Sequence, residues 1–220
     1  MSEILVINPN SSTSVTRSME NCLAAVREAS AHTIRCIELP KSPPGIETDE
    51  HVALVVPNLL EAASTEQADA LVIACFSDPG IAQVRARLTT PVFGIAESAY
   101  LTALAMGSRF GIVSLGESSI RRHLRYLDTL GLTGRLAGDR SINKTVVQLM
   151  SEDVIQTVAA TARVLRDEDG ADVVILGCAG LGSYREALQD ALGIPVVDPV
   201  QAAVGFARNA LDVGYTRRKM

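Results

Sequence analysis

The sequence contains two similar segments, and each is an apolar run that ends at a cysteine. ADALVIACF at residues 68–76 aligns without a gap with ADVVILGCA at residues 171–179. Each segment is preceded by a strand, a turn and a helix, and each is followed by a helix and a strand that begins with Pro-Val. This repeated order predicts two similar lobes related by an approximate twofold axis, with Cys75 and Cys178 at matching positions.

Strand and helix patterns alternate along the chain, which predicts an α/β fold with parallel sheets. Hydrophobic residues make up 47% of the chain and aromatic residues only 4%, so the core must consist of Ala, Val, Leu and Ile side chains. That composition is typical of helices packed on buried parallel strands. We expect strands near residues 3–9, 32–39, 70–75, 91–95, 110–115, 134–138, 172–177 and 194–198, and helices near residues 10–29, 51–63, 80–87, 98–106, 118–130, 151–167, 184–191 and 200–211.

The repeat divides the predicted fold into two lobes. The first lobe comprises residues 1–97, the second comprises residues 98–199, and a last helix at residues 200–213 packs back on the first lobe. Ligands of parallel α/β sheets bind outside the carboxyl ends of the strands. We therefore expect the functional site in the cleft between the lobes.

Charge and hydropathy narrow the range of partners. The net charge is −5 and no basic stripe runs along the chain, which argues against nucleic acid. The N-terminal sequence lacks the basic flank and the apolar length of a signal peptide, and no stretch reaches the roughly 18 apolar residues of a membrane span. We expect a cytoplasmic protein that has a small-molecule partner, does not act at a membrane, and forms a symmetric homo-oligomer.

Four cysteines, Cys22, Cys36, Cys75 and Cys178, are expected to be free thiols in a reducing compartment. Their spacing does not fit a zinc site. Cys75 and Cys178 follow predicted strands, where a helix dipole and backbone N–H groups would lower the pKa of a thiol toward neutrality. Cys22 and Cys36 have no matching counterpart, so we interpret them as packing residues.

Two opposed acid/base groups suit stereochemical inversion at carbon, because one removes a proton and the other returns a proton to the opposite face. Racemases and epimerases need this arrangement. The alternative is that Cys75 and Cys178 are structural cysteines in buried strands. Their duplication at matched positions favours the chemical role.

Five motifs together resemble the hydantoin racemases of the aspartate/glutamate racemase superfamily: INPNSST, ACFSDPG, PVFGIAE, RFGIV and LGCAGL. The similarity runs from about Ile4 to Ala207. It implies two Rossmann-like lobes with the active site between them, and racemisation of 5-substituted hydantoins or allantoin with no cofactor and no metal. By that resemblance, Cys75 and Cys178 are the catalytic pair.

The residues beside the cysteines favour a neutral ring as substrate. Glutamate racemases carry Cys-Asn-Thr and Cys-Thr-His at these two sites, whereas this chain has Cys75-Phe76-Ser77 and Cys178-Ala179-Gly180. Ala179 and Gly180 leave only backbone N–H groups, which suit a neutral carbonyl better than a carboxylate, and Phe76 adds apolar surface. In a hydantoin the carbanion at C5 is an enolate, so a thiolate base with backbone donors would suffice.

Several further residues are candidates for substrate binding. Asn8 and Asn10 end the first strand and offer amide groups to a ring, although turn and cap formation is their alternative role. Ser114 and Leu115 occupy the equivalent strand end in the second lobe, where Ser114 is alternatively a turn former. Ser77 follows the first cysteine, and Ile46 lies in a loop that folds over the cleft. The family usually has Ser-Ile-Glu-Gly in this loop, and this chain has Gly-Ile-Glu-Thr at residues 45–48.

Other polar residues are given structural roles. Asp78 is expected to cap the helix that follows it. The histidines at positions 32, 51 and 123 are expected to be surface or structural residues, because they lie away from strand ends. The basic runs at residues 121–126 and 216–220 are interpreted as solvated patches.

Alternatives remain within and outside this superfamily. An amino-acid racemase or a maleate isomerase would act on a charged substrate, while arylmalonate decarboxylases use only the second cysteine position. A small-molecule binding module would bind the ligand in the same cleft without exchanging its proton. A thiol redox protein is disfavoured because Cys75 and Cys178 lack a neighbouring resolving thiol.

Overall fold

The computed structural model describes residues 1–215, and the predicted basic run at residues 216–220 lies outside these described residues. In the first half of the chain the elements are β1 (Glu3–Asn8), α1 (Thr13–Cys22), α2 (Ala24–Glu28), β2 (Thr33–Glu38), α3 (Asp49–Thr65), β3 (Ala70–Ile73), α4 (Ile81–Arg87) and β4 (Val92–Gly94). The second half contains α5 (Ile95–Met106), β5 (Phe110–Ser114), α6 (Glu117–Thr129), β6 (Leu136–Ser141), α7 (Val146–Ser151), α8 (Ile155–Asp167), β7 (Val173–Leu176), α9 (Arg185–Leu192), β8 (Val196–Val197) and α10 (Pro199–Asp212).

The strands form two four-stranded sheets with the same internal order. The first sheet runs β2-β1-β3-β4 and the second runs β6-β5-β7-β8, and every pairing is parallel. The predicted α/β fold with two pseudo-symmetric lobes is therefore confirmed. Within residues 1–215, no helix combines the length and the apolar character needed to cross a bilayer.

The two strands that lead to the cysteines are buried along their whole length. Every residue of β3, with sequence ALVI, and every residue of β7, with sequence VVIL, is buried. Helices cover both faces of a parallel sheet, so such central strands need continuous apolar sequence rather than alternation. This explains why both strands consist of continuous apolar sequence.

The last helix returns to the first sheet. Helix α10 packs on α5 and against β3 and β4. Helix α5 contacts strands of both sheets, because it packs on β4 and also on β7. We keep the division between residues 97 and 98 as a proposal, since this boundary falls within a helix shared by the two sheets.

Three helices differ from the prediction. The helix expected at residues 10–29 is two helices, α1 and α2, separated at Leu23. The helix expected at residues 151–167 begins only at Ile155, as α8, and a shorter helix that was not predicted, α7, starts before it at a capping box between Thr145 and Gln148. Helix α5 begins earlier than predicted, at Ile95 rather than at Ser98, because a distant carboxylate caps its N-terminus.

Two glycines with open space around them, one inside a helix and one at a helix end, allow the backbone conformation at these sites to be tested by substitution. Gly205 lies exposed within α10, whereas Gly193 ends α9 with φ +67°. Because a Cβ meets no atom at either site, only backbone preference differs. We expect Gly205→Ala to raise the free energy of unfolding by about 0.5–1 kcal/mol and Gly193→Ala to lower it by about 1 kcal/mol. Urea denaturation measures both, and shifts of the same sign would contradict the assignment.

Candidate active site

A cavity of about 310 Å³ opens at the carboxyl ends of the strands, and both Cys75 and Cys178 line it. Cys75 lies two residues after the end of β3, and Cys178 lies two residues after the end of β7. The sheets therefore bring one thiol each to a shared space. Its volume falls at the lower end of the range for small-molecule sites, about 300–1,000 Å³.

Backbone groups lie close to both cysteines. A Cβ at Gly177 would lie 2.7 Å from the carbonyl oxygen of Val113, so this position of the second sheet accepts only glycine. The next residue, Cys178, accepts a hydrogen bond at Sγ from the backbone N–H of Gly180 at 3.4 Å. The backbone N–H of Ser77 plays the same part for Cys75. Each sulfur therefore accepts from the N–H group two residues farther along the chain.

These donors do not offset the effect of burial on the pKa of either thiol, so the predicted shift toward neutrality is wrong. Burial raises the pKa of Cys75 to about 12 and the pKa of Cys178 to about 11. Loss of water destabilises a buried thiolate more than one backbone donor stabilises it. Both thiols are therefore protonated at neutral pH.

Negative charges around the thiols act in the same direction as burial. After burial, negative charge on Cys178 and on Asp78 contributes to the raised pKa of Cys75, which Arg122 partly offsets. Negative charge on Asp198 likewise helps to raise the pKa of Cys178. Because ionisation of one thiol disfavours ionisation of the other, the pair holds one negative charge far more readily than two.

The first lobe holds a buried carboxylate beside its cysteine. Asp78, in the turn after β3, accepts hydrogen bonds from the backbone N–H groups of Ala96 at 3.0 Å and Glu97 at 2.9 Å. A Cβ at Gly94 would lie 2.1 Å from the carboxyl carbon of Asp78, so the carboxylate fills the space that this glycine leaves. The expectation that Asp78 caps the following helix is wrong, because its side chain caps α5 instead of α4.

In the second lobe the carboxylate and the glycine have exchanged positions. Asp198 follows β8 and accepts from the backbone N–H of Gln201 at 2.7 Å, at the start of α10. A Cβ at Gly182, in the segment after β7, would lie 2.6 Å from Oδ2 of Asp198. Burial raises the pKa of Asp198 to about 6 and the pKa of Asp78 to about 7. Each lobe thus contains a helix-capping carboxylate that lies against a glycine. In the first lobe the carboxylate follows β3 and the glycine ends β4, whereas in the second lobe the carboxylate follows β8 and the glycine follows β7.

Six of the predicted substrate-binding residues line the cavity: Asn10, Ile46, Phe76, Ser77, Leu115 and Ala179. The side-chain oxygen of Asn10 accepts from the backbone N–H of Ser12 at 2.8 Å and from the side chain of Asn8 at 2.9 Å. Within the described chain its amide nitrogen has no partner, so it is available as a donor to a ligand.

Three predicted residues lie behind the cavity wall, in contrast to the prediction. The side chain of Asn8 holds the turn that carries Asn10. The hydroxyl of Ser114 donates to Asp139 on the neighbouring strand. The N–H of Gly180 is used by the adjacent sulfur. These residues position groups that line the cavity and do not line it themselves.

Among the lining residues that were not predicted, Arg122 and His123 were missed because residues 121–126 were interpreted as one solvated patch. Arg122 is only 7% exposed and His123 only 2% exposed, and both line the cavity. The helical spacing contained the signal, since Arg122 lies four residues before the half-buried Tyr126 and His123 lies four residues before the buried Leu127. The expectation of a surface or structural role for His123 therefore missed its place in the cavity wall.

Arg122 joins the two lobes across the cavity. Its guanidinium donates to the carbonyl oxygen of Glu47 at 3.0 Å, to the hydroxyl of Ser119 at 3.1 Å and to the hydroxyl of Ser77 at 3.4 Å. The hydroxyl of Ser118 donates to the same carbonyl oxygen of Glu47 at 2.6 Å. The loop that was expected to fold over the cleft is thus attached to the start of α6.

The charged side chains of the cavity wall all have protein partners within the described chain. The carboxylate of Glu47 accepts from the backbone N–H at the start of α7 at 2.8 Å. Lys144 forms an ion pair with Glu152, Arg122 forms one with Asp49 at 3.6 Å, and His123 is paired with a carboxylate on β6. No cation of this wall is therefore left over to neutralise a charged ligand.

The remaining histidines and cysteines lie outside the cavity lining: His32, His51, Cys22 and Cys36. Burial raises the pKa of Cys36 to about 11 and that of Cys22 still further. A raised thiol pKa therefore does not by itself distinguish Cys75 and Cys178 from the packing cysteines, whereas their place in the cavity does. Among residues 1–215, no three His, Cys, Asp or Glu side chains cluster as metal ligands.

Comparison with known proteins agrees with this geometry. Residues 4–207 match the family described as Asp/Glu/Hydantoin racemase. A hydantoin racemase from Paenarthrobacter aurescens is 36% identical over 98% of this chain and 94% of its own, and one from Rhizobium meliloti is 32% identical over 99% and 92%. An allantoin racemase from Klebsiella pneumoniae superposes with a TM-score of 0.93 at 29% identity, over 99% of this chain and 91% of that one.

The buried carboxylate of the second lobe predicts a pH-dependent loss of stability. The pKa of Asp198 is raised from 3.8 to about 6, so its contribution to stability is complete below about pH 4 and is lost as the pH rises through 6. Asn retains the oxygen that caps α10 but carries no charge. We expect Asp198→Asn to gain stability relative to the original chain between pH 4.5 and pH 8, by about 2 kcal/mol.

Urea denaturation at these two pH values measures the change. Asp190→Asn, at an exposed position of α9, is the control and should change the free energy of unfolding by less than about 0.5 kcal/mol at either pH. A difference between Asp198→Asn and the original chain that is the same at both pH values would contradict the assignment.

Proposed function

The chain belongs to the Asp/Glu/hydantoin racemase family, and on that premise we propose that it is a cofactor-independent racemase of 5-substituted hydantoins or allantoin. The observation that carries the proposal is that Cys75 and Cys178, at matched strand ends in two similar lobes, line one small cavity. The related hydantoin and allantoin racemases support the same reaction class.

In the proposed reaction the two cysteines act on opposite faces of C5 of the ring. One sulfur, as a thiolate, takes the C5 proton, and the other, as a thiol, gives its proton to the opposite face. The proton count of the pair is unchanged, and the two roles are exchanged for the next turnover. The electrostatic coupling between the thiols supports this scheme, because negative charge on one thiol disfavours ionisation of the other, so that only one of the pair serves as the base at a time.

The carbanion is stabilised as an enolate of the adjacent ring carbonyl. Hydrogen-bond donors at the enolate oxygen contribute about 3 kcal/mol each in comparable sites. The amide nitrogen of Asn10, which lacks a protein partner in the described chain, is the side-chain donor that we assign to a ring carbonyl. Asn8 acts through Asn10 by holding its side-chain oxygen.

A neutral ring fits this cavity better than a carboxylate. A carboxylate needs a cation or several uncommitted donors in a buried site. Here the side chains of Arg122 and Lys144 are already committed to protein partners, and the wall also carries the negatively charged Glu47. Ile46, Phe76 and Leu115 add apolar surface for the 5-substituent.

Hydrogen exchange separates this proposal from its alternatives. In heavy water, the chain should introduce deuterium at C5 of both enantiomers of a 5-substituted hydantoin or of allantoin faster than the spontaneous blank. L-glutamate, L-aspartate and maleate should remain unchanged, since no cation is available for their carboxylates. Turnover of these acids instead of the ring would favour a charged substrate, and ring binding without exchange would favour a binding module.

The catalytic pair is tested by substitution. Cys75→Ser and Cys178→Ser should each lower kcat/KM for racemisation roughly 10²- to 10⁴-fold, because a serine hydroxyl is a far weaker acid. Cys36→Ser is the matched control, since it alters a half-buried thiol of raised pKa outside the cavity and should leave kcat/KM unchanged. Two single variants that both racemise normally would overturn the scheme.

A cytoplasmic location and a symmetric homo-oligomer accompany this proposal as further predictions. Their support is the free thiol state of all four cysteines and the small size of the chain. Cell fractionation and sedimentation analysis would test them.

A further inference from the structure

His123 lines the cavity, and its two ring nitrogens have different surroundings. The residue lies on the buried face of α6, and its side chain is only 2% exposed. Its Nδ1 is 2.8 Å from Oδ2 of Asp139 on β6 and 3.2 Å from the hydroxyl oxygen of Ser114 on β5. Within the described chain, Nε2 has no hydrogen-bond partner.

The surroundings of Nδ1 fix the tautomer of the ring. A carboxylate can only accept hydrogen bonds, and the hydroxyl of Ser114 donates its proton to the other oxygen of Asp139. Nδ1 therefore carries the hydrogen that Asp139 accepts. In the neutral imidazole, Nε2 is then left with a lone pair and acts as an acceptor.

Packing holds this ring in one orientation. Phe76 meets it edge to face, with ring centroids 5.0 Å apart and planes at 86°. The side chain of Asp139 is only 1% exposed, so the carboxylate is buried together with the imidazole. Burying such a pair in place of apolar side chains rarely adds stability, which points to a role for the ring beyond packing.

We propose that Nε2 of His123 accepts a hydrogen bond from a ring N–H of the substrate, with Asp139 and Ser114 as positioning residues. This inference rests on the proposed function and deepens it, because it names the chemical group that the cavity recognises. A cyclic ureide carries N–H groups in its ring, whereas a dicarboxylate such as maleate has none. The acceptor also complements Asn10, whose amide nitrogen serves a carbonyl, so the wall matches a ring that alternates C=O and N–H.

The test combines a change in the ligand with a change in the protein. Isothermal titration calorimetry would compare a 5-substituted hydantoin with its N1-methyl and N3-methyl derivatives, on the original chain and on His123→Leu. In the original chain, one of the two methylations should weaken binding about 10- to 100-fold, because it removes the N–H that a buried acceptor requires. In His123→Leu, the same methylation should change the Kd by less than about threefold.

Two further variants keep the result interpretable. His123→Gln retains an acceptor of similar reach and should regain part of the discrimination between the methylated and unmethylated rings. His32→Gln is the matched control, since His32 also pairs with a carboxylate, Asp212 at 2.9 Å, but lies outside the cavity. It should bind all three ligands as the original chain does. Thermal melts establish that each variant is folded.

The outcomes distinguish this inference from the proposed function. Equal methylation effects in the original chain and in His123→Leu would overturn the assignment of Nε2, whether or not the chain racemises the ring. A methylation effect that depends on His123, without deuterium exchange at C5, would support the assignment and overturn the racemase. Failure of the original chain to bind any of the three rings would overturn both.

Discussion

Parallel strand pairing is the constraint on which this structure depends. In a parallel sheet the carboxyl ends of all strands meet at one edge, where loops and helix N-termini meet as well. Here two sheets with the orders β2-β1-β3-β4 and β6-β5-β7-β8 each bring a cysteine to that edge. Because both edges border one cavity, Cys75 and Cys178 share it although about a hundred residues separate them.

Desolvation then decides the state of the thiols. A partly buried sulfur with a single backbone donor stays protonated at neutral pH, and nearby carboxylates strengthen this tendency. In the proposed reaction, the base that acts at carbon is therefore present at neutral pH only as the small thiolate fraction of the pair. The same enclosure leaves Arg122 bound to neighbouring protein groups.

The sequence allowed much of this arrangement to be predicted because its signals are local. Short apolar runs separated by helical patterns predicted the strands. The ungapped repeat predicted the paired lobes and the placement of both cysteines. What escaped prediction depends on distant contacts. The pKa of Cys75 reflects the volume of protein around it, the carboxylate of Asp78 caps a helix that starts after the next strand, and His123 enters the cavity only because of how α6 lies on the second sheet.

The exchange of carboxylate and glycine between the lobes bears on how such a repeat diverges. If two halves descend from one ancestral unit, aligning them residue by residue pairs Gly94 with Asp198 and finds no common acid. In space, however, each half has an acid that caps the helix after its fourth strand, facing a glycine that makes room for it. With such a descent, selection has retained a carboxylate at the same place in the fold, although the residue that carries it stands at different positions of the two aligned halves. A larger residue can therefore replace either glycine only when the facing carboxylate changes with it.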